Sequence, residues 1–358
     1  MKKRIIGIDV ARALAIIGMI IVNFKIAIGS VGQEWLQSII GLLEGKAAAT
    51  FVVLAGIGIA FMSNSSIQNN DTPKLKKVQF SLFKRAIFLF VIGLLFMPIW
   101  PADILHFYGI YMLLTLVLLG SKKRTILIAA LILILAYPFI MLIWDYDLGW
   151  NFDTLEYPSF WSLTGFFRNL FYNGFHPVIP WTAFMLIGFW FGKNDLSDAK
   201  FIKKSALVSI GIFTFTILLS QVLLSVLSEG DVTARNELKQ ILGTSPMPPL
   251  PIYMITGSSF AIFIISICVM LAERFGKSKV ISALKDTGQL ALTFYAAHVL
   301  IGMGLIEFID PTMMGKYSTE FTVLYSIGFS LSCILFAVIW KKYKMVGPLE
   351  WVMRKLTA

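Results

Sequence analysis

Ten apolar segments, each roughly 15 to 25 residues long, limit the folds open to this chain. They lie near residues 8–27, 45–63, 80–97, 103–119, 125–144, 178–192, 203–227, 252–272, 288–306 and 321–340. About 20 apolar residues in a helix cross a hydrocarbon core of about 30 Å. A helix also satisfies its own backbone hydrogen bonds, as lipid requires. We therefore predict an all-α, polytopic integral membrane helix bundle with about ten transmembrane helices.

The basic residues between these segments predict the orientation of the bundle. The net charge is +11, and 24 of the 31 Lys and Arg residues lie in one set of alternate connections, against six in the other set. Connections rich in Lys and Arg face the cytoplasm. Both termini of this multi-pass membrane protein are therefore expected in the cytoplasm. Because the basic residues are dispersed between apolar segments, we expect membrane lipid as a partner and no nucleic acid.

We expect residues 1–358 to form a single transmembrane domain with two long outer loops. The loop 145–177 contains YPSFWSLTGFFRNLFYNGF, whose aromatic residues suit either an interfacial segment or an aromatic belt at a helix end. The loop 228–251 is rich in proline near its end. The N-terminal residues resemble a secretion signal, but charged residues interrupt the apolar run and no small-residue cleavage site follows it, so we expect a retained first helix.

Cysteine usage and short motifs predict neither a disulfide nor a metal site. Cys268 and Cys333 both lie inside apolar segments, where a disulfide framework or a thiolate metal site is not expected. The sequence has no HExxH, CxxC, Gly-rich phosphate loop or nucleophile elbow. Metal-dependent hydrolysis and nucleotide-driven transport therefore have no motif to support them.

The first apolar segment, IDVARALAIIGMIIVNF, carries three polar side chains on one face. At 100° per residue, Asp9 and Arg12 share that face, and Asn23 differs from Arg12 by about 20° and lies about 16 Å further along the axis. Polar groups at membrane depth normally face a bundle interior or a watery cavity. We predict that this polar stripe, formed by the three side chains, lines a path through the bilayer. Alternatively, Asp9 and Arg12 form an ion pair near the membrane surface that contributes little to stability.

The fourth segment opens with DILHFYGIYMLL, in which Asp103 and His106 are three residues apart. On one helical face, the carboxylate would orient and polarise the imidazole, as a general base requires. Alternatively, Asp103 only caps the helix behind Pro101.

Two further histidines are candidates. His176 lies in GFHPVIPWTAFMLIGFWFGK, between an aromatic turn and Pro177 and on the same predicted membrane face as His106, with Pro180 and Trp181 opening the next helix. Its alternative role is that of a loop histidine hydrogen-bonded at an interface. His298 lies mid-span in GQLALTFYAAHVLI, one turn after Tyr295; it is either functional or hydrogen-bonded to a neighbouring helix.

These segments and the ending IWKKYKMVGPLEWVMRKLT resemble the YeiB-like bacterial membrane family. More distantly they resemble the heparan-alpha-glucosaminide N-acetyltransferase family within the transmembrane acyltransferase superfamily. The resemblance covers the first, second, fourth, sixth, ninth and tenth spans. It implies a membrane-bound acyltransferase that moves an acyl group, with acetyl-CoA as the expected donor, to an extracytoplasmic sugar or cell-envelope acceptor.

The resemblance also assigns residues. The family's first helix carries Asp, Arg and Asn in the places of Asp9, Arg12 and Asn23. Related integral-membrane O-acyltransferases have a histidine at the place of Asn23, and the heparan-type branch takes its histidine from the loop after the first helix, whereas residues 25–46 here contain none. The base should therefore be His106 or His176, with His298 as a third candidate.

The expected mechanism starts with acyl-CoA at the cytoplasmic loops, whose lysines attract its phosphates. Its thioester arm enters past Arg12, His106 oriented by Asp103 deprotonates the acceptor, and Asn23 or the indole N–H of Trp181 stabilises the oxyanion. Tyr295 and His298 are expected to contribute to substrate binding. A transporter or flippase, with the stripe and His298 along its route, and a non-catalytic scaffold stay open as alternatives, as does a homo-oligomer.

Overall fold

Helices form almost all of the secondary structure in residues 4–357, the residues that the computed structural model describes. In chain order they are α1 (Ile6–Ile28), α2 (Glu34–Gly41), α3 (Lys46–Gln68), α4 (Thr72–Phe96), α5 (Leu105–Val117), α6 (Lys123–Ile143), α7 (Leu163–Arg168), α8 (Val178–Gly192), α9 (Ala199–Leu227), α10 (Val232–Leu242), α11 (Pro251–Phe275), α12 (Lys279–Gly288), α13 (Ala291–Ala297), α14 (Gly304–Ile309), α15 (Thr319–Tyr343) and α16 (Pro348–Thr357). Across the described residues, β pairing is confined to isolated bridges. The all-α prediction is confirmed.

Every predicted apolar segment contains helix. Within residues 4–357, eight helical stretches are long and apolar enough to span a membrane, and a ninth forms if Leu163–Asn173 and Val178–Gly192, which meet at 45°, count as one bent span. The remaining predicted span, 103–119, is the shorter apolar helix α5. The polytopic helix bundle is confirmed, and the predicted orientation stays a prediction.

Three regions carry more local structure than the sequence pattern indicates. The predicted span 288–306 contains a π-helical turn over His298–Met303, which lies between α13 and α14 in one continuous helical stretch. Another π-helical turn, Asn169–Asn173, extends α7 inside the loop 145–177. The loop 228–251 contains α10, whose first amides are capped by the carboxylate of Asp231, with Oδ1 accepting from Thr233 N at 2.7 Å.

Contacts between residues divide the chain into two units. The first unit comprises residues 4–51, 196–208 and 260–355 of the described chain, and the second comprises residues 52–195, 209–259 and 356–357. The expectation of a single transmembrane domain stays a prediction.

In the first unit, α1 packs against α12, α13 and α15. The closest approach is at Gly288, the last residue of α12, because a Cβ there would lie 1.8 Å from the backbone oxygen of Asp9. Only a residue without a side chain allows the two backbones to lie this near each other. Gly288 thus brings the end of α12 against the polar turn of α1.

In the second unit, α5 packs along α4, and α8 packs against α5 and α6. The contact between α4 and α5 depends on Gly93, since a Cβ there would lie 2.1 Å from His106 N and 2.7 Å from Asp103 Oδ2. The glycine therefore leaves the room that the first turn of α5 and its two polar side chains occupy.

Replacing Gly288 by Ala should destabilise the first unit, because the backbones of α1 and α12 must separate to admit the methyl group. We expect a loss of about 1–3 kcal/mol, the usual cost of overpacking, measured as a lower melting temperature of the purified protein in detergent. Gly328→Ala is the matched control, since a Cβ at Gly328 of α15 meets nothing within 4 Å. Equal melting temperatures for the two variants would contradict the close approach.

Candidate functional site

The carboxylate of Asp103 is held by three N–H groups at the start of α5. Its Oδ2 accepts from Leu105 N at 2.8 Å, from His106 N at 3.3 Å and from His106 Nδ1 at 3.2 Å. Both side chains of the pair are 0% exposed. One oxygen thus caps the helix and orients the imidazole, so the two roles considered for Asp103 coexist.

This geometry defines the tautomer of His106. Because a carboxylate oxygen only accepts, Nδ1 carries the hydrogen, and Nε2 is left as the basic nitrogen. His106 Nε2 is buried and has no hydrogen-bond partner within residues 4–357. A buried acceptor without a partner costs about 1–3 kcal/mol. An oriented imidazole with a free basic nitrogen is the form that a general base takes.

Aromatic rings connect His106 with His176 and Trp181. The ring centroid of Phe107 lies 3.9 Å from that of His106 and 6.0 Å from that of His176. The indole of Trp181 lies 4.6 Å from the His176 ring, nearly perpendicular to it. His176 Nδ1 and Trp181 Nε1 are also buried without a partner in the described part of the chain. These ring contacts therefore bring three unpaired ring nitrogens of the second unit close to one another.

The start of α8 positions His176 and Trp181. Pro177 is the N-cap residue of α8 and Trp181 lies in its first turn, fully buried. The backbone oxygen of His176 accepts a hydrogen bond from the hydroxyl of Tyr111, which lies on α5. His176 is thus tied by its backbone to the helix that carries His106.

The polar turn of α1 forms a separate cluster in the first unit. Asp9 is only 3% exposed, and its carboxylate accepts from Arg4 Nε at 2.7 Å, from Arg12 Nη1 at 3.0 Å and from Gln289 Nε2 at 3.3 Å. Lys341 Nζ in turn donates to Gln289 Oε1 at 2.7 Å. The hydrogen bond to Asp9 raises the pKa of Arg4 above its ordinary value, against an opposing effect of partial burial.

The cluster around Asp9 carries more positive than negative charge. Arg4 and Arg12 bond the Asp9 carboxylate directly, and Lys341 is linked to it through Gln289. Lys285 and Asp286 add one charge of each sign near Lys341, and the Arg12 side chain keeps 27% of its surface exposed. Guanidinium groups present several donors in a planar fork that suits phosphate oxygens. The arrangement can therefore hold an anion.

The side chain of Asn23 forms a hydrogen bond with His298. Its Nδ2 donates to His298 Nε2 at 2.9 Å, and His298 Nδ1 donates to the backbone oxygen of Tyr295. Both ring nitrogens of His298 are therefore occupied, and the side chain is 0% exposed. The side-chain amide of Asn23 was expected to stabilise an oxyanion, but in the structure it donates to the His298 imidazole.

The nine predicted residues thus fall into three groups. Asp103, His106, His176 and Trp181 lie together in the second unit, whereas the first unit holds the Asp9–Arg12 cluster and, separately, the trio of Asn23, Tyr295 and His298. Sequence reasoning missed Arg4, Gln289 and Lys341 as partners around Asp9. Gln289 and Lys341 occur inside the motifs quoted above, but their spacing along the chain gives no sign that they meet α1.

Comparison with models of protein families shows to which family the chain belongs. The family model described as heparan-alpha-glucosaminide N-acetyltransferase, catalytic, matches residues 4–226, which are 223 of the 358 residues. The chain belongs to this family. A second model, described as a protein of unknown function (DUF418), matches residues 238–358. A search of curated proteins finds no match. The family resemblance inferred from the sequence is confirmed.

Membership identifies a transmembrane, acetyltransferase-like protein. The first match includes α1 and both His106 and His176, and the second includes Gln289, His298 and Lys341. Within residues 4–357, no group of three or more His, Cys, Asp or Glu side chains lies close enough to hold a metal ion.

Replacing Asn23 by Ala should destabilise the first unit, because it leaves the buried Nε2 of His298 without a donor. We expect a loss of about 1–3 kcal/mol, measured as thermal or denaturant stability of the purified protein. The same replacement in a His298→Phe background should cost at least about 1 kcal/mol less, since no imidazole is left unpaired. Additive effects of the two substitutions would contradict the pair.

Proposed function

We propose that this protein is an acetyl-CoA-dependent acyltransferase of the bacterial plasma membrane, which acetylates an extracytoplasmic sugar or cell-envelope acceptor with His106 as general base. The observation that carries the proposal is the buried Asp103–His106 pair, whose Nε2 is unpaired. Family membership supports acetyl transfer as the reaction. The geometry supports His106 as the group that moves the proton.

In the proposed reaction, a hydroxyl or amine of the acceptor attacks the thioester carbonyl of acetyl-CoA. His106 Nε2 takes the proton of the attacking group, and Asp103 stabilises the resulting imidazolium through the hydrogen bond to Nδ1. The tetrahedral intermediate then collapses, the C–S bond breaks, and the imidazolium returns the proton to the leaving sulfur. The products are an acetyl ester or amide and CoA.

The negative charge on the intermediate needs a hydrogen-bond donor. Trp181 Nε1 is buried and has no partner within the described residues, so it is the donor we favour. Asn23, the other candidate, already donates to His298. His176 stays the alternative base, because its Nδ1 is also unpaired, whereas both nitrogens of His298 are occupied.

The cluster around Asp9 is the proposed binding site for the donor's phosphates. CoA carries a pyrophosphate and a ribose phosphate, and Arg4, Arg12 and Lys341 offer three cations to such groups. Arg12 contributes the exposed part of its guanidinium. This role agrees with the predicted cytoplasmic position of the start of α1.

A transporter is the second candidate function, and one observation favours it. The stretch Ala291–Ile309 contains a π-helical turn at His298, a local departure from α-helical geometry that is common at functional sites and is a milder form of the broken helices of transporters. Protection of the purified protein against heat by acetyl-CoA, but not by free acetate, would favour the enzyme.

His106→Ala should lower the rate of acetyl transfer by at least about 100-fold, the usual contribution of a general base. The assay measures consumption of acetyl-CoA by the protein in liposomes with cell-wall or exopolysaccharide sugars as acceptors. His176→Ala, assayed in parallel, tests the alternative base. Glu237→Gln, an exposed position on α10, is the control and should retain the full rate. Undiminished turnover in the His106→Ala variant would exclude our assignment of the base.

Arg12→Ala should weaken donor binding and leave the chemical step unchanged. We expect the KM for acetyl-CoA to rise about tenfold, as for the loss of one charge-assisted hydrogen bond, with little change in kcat. Arg274→Ala removes an exposed arginine at the end of α11 and is the matched control for a general change in charge. A lower kcat with an unchanged KM would contradict the phosphate site.

A further inference from the structure

A cavity of about 300 Å³ lies in the second unit beside the two histidines. It is bounded by the connection between α4 and α5 and by residues of the segment 145–177. Five aromatic side chains line it, together with prolines and two polar residues; the aromatic ones are Trp150, Tyr157, Phe160, Trp161 and Phe175. We refer to it as the aromatic cavity. Neither the catalytic proposal nor the family match assigns it a role.

Two walls of the aromatic cavity touch the histidines. The ring of Phe160 lies 6.1 Å from that of His106, edge to face. The ring of Phe175 lies 6.5 Å from that of His176. A ligand in the cavity is therefore separated from each imidazole by a single aromatic side chain.

The walls are held in place by Asn173, whose side chain is fully buried. Its Nδ2 donates to the backbone oxygens of Tyr146 at 2.7 Å and Leu148 at 2.9 Å, and its Oδ1 accepts from the hydroxyl of Tyr157 at 2.9 Å. The indole of Trp150 donates to the backbone oxygen of Asn173 at 2.6 Å. Because these bonds join protein groups to one another, they organise the cavity before a ligand binds.

The polar lining indicates the chemistry of the ligand. Asn169 is only 4% exposed and lines the cavity. An amide both donates and accepts, so it matches hydroxyl and amino groups. Glu156 is the one ionisable acid among the lining residues, and neither Lys nor Arg lines the cavity. Among the lining residues, an anionic ligand would therefore meet a negative charge and no cation; Arg168 lies behind the Tyr157 ring and donates to the Tyr157 hydroxyl.

We propose that the aromatic cavity binds one ring of the acceptor, a sugar ring that carries hydroxyl or amino groups and no negative charge. The aromatic faces stack on the C–H faces of such a ring, and Asn169 hydrogen-bonds its substituents. Glu156 excludes rings that bear carboxylate or phosphate. This inference rests on the proposed acyltransferase for its biological meaning, but the binding site itself is testable without catalysis.

The test measures binding to the full-length protein in nanodiscs without acetyl-CoA. The probes are methyl glucoside, methyl glucosaminide and methyl glucuronide, followed by quenching of tryptophan fluorescence and by ligand-observed NMR. We expect the neutral and amino sugars to bind at least tenfold more tightly than the glucuronide. Trp161→Ala and Asn169→Ala should each weaken binding of the glucoside about tenfold. Trp161 is 69% exposed, so its replacement does not disturb the core.

Glu156→Gln tests the charge selectivity. It should remove most of the preference against the glucuronide, whereas Asp153→Asn, an exposed acid in the same segment outside the cavity lining, should leave that preference intact. Equal binding of all three glycosides, or binding that none of the cavity variants changes, would overturn the proposal.

The outcomes separate this inference from the proposed function. Sugar binding that depends on Trp161 and Glu156, without acetyl transfer to any sugar, supports the aromatic cavity and refutes the acyltransferase. The converse result is acetyl transfer with the same KM for the acceptor in the wild type and in Trp161→Ala. That result supports the acyltransferase and refutes the cavity as the acceptor site.

Discussion

The structure depends on how an apolar helix bundle accommodates carboxylates. A charged group in such surroundings is costly unless hydrogen bonds replace the water it has lost. Asp103 meets this requirement with three N–H groups at the start of α5, and Asp9 with two arginines and Gln289. Each carboxylate in turn dictates the orientation of its partner. The positions of His106 and Arg12 therefore follow from the satisfaction of buried acids.

The sequence predicts the features that depend on local geometry. Apolar segments become helices because lipid leaves the backbone no other way to pair its hydrogen bonds. Asp103 and His106, like Asp9 and Arg12, meet because residues three apart share a helical face. Pairings between distant segments were beyond prediction. Asn23 and His298 are 275 residues apart, and their contact depends on how α1 packs against the π-helical turn His298–Met303. The spacing of residues along the chain does not reveal this packing.

The short helix α5 explains why the site lies at its start. Its 13 residues cover about 20 Å, which is less than the hydrocarbon core of about 30 Å. The residues before it are irregular backbone, which a membrane protein tolerates only where protein surrounds it. Gly93 provides that space on α4. A helix start buried in this way presents free amides, and Asp103 satisfies them while it holds the imidazole.

His298 and His106 are both buried, but they differ in how many of their ring nitrogens are hydrogen-bonded, and this difference indicates which of them can act as a base. His298 donates from Nδ1 to the Tyr295 carbonyl and accepts from the Asn23 amide at Nε2, so both polar atoms of the ring are used, one within its own span and one to join that span to α1. His106 uses only Nδ1. Stability alone would favour a partner for its second nitrogen, because an unpaired buried acceptor is costly. Such a cost persists when function requires the nitrogen to stay free for a proton, as in a general base.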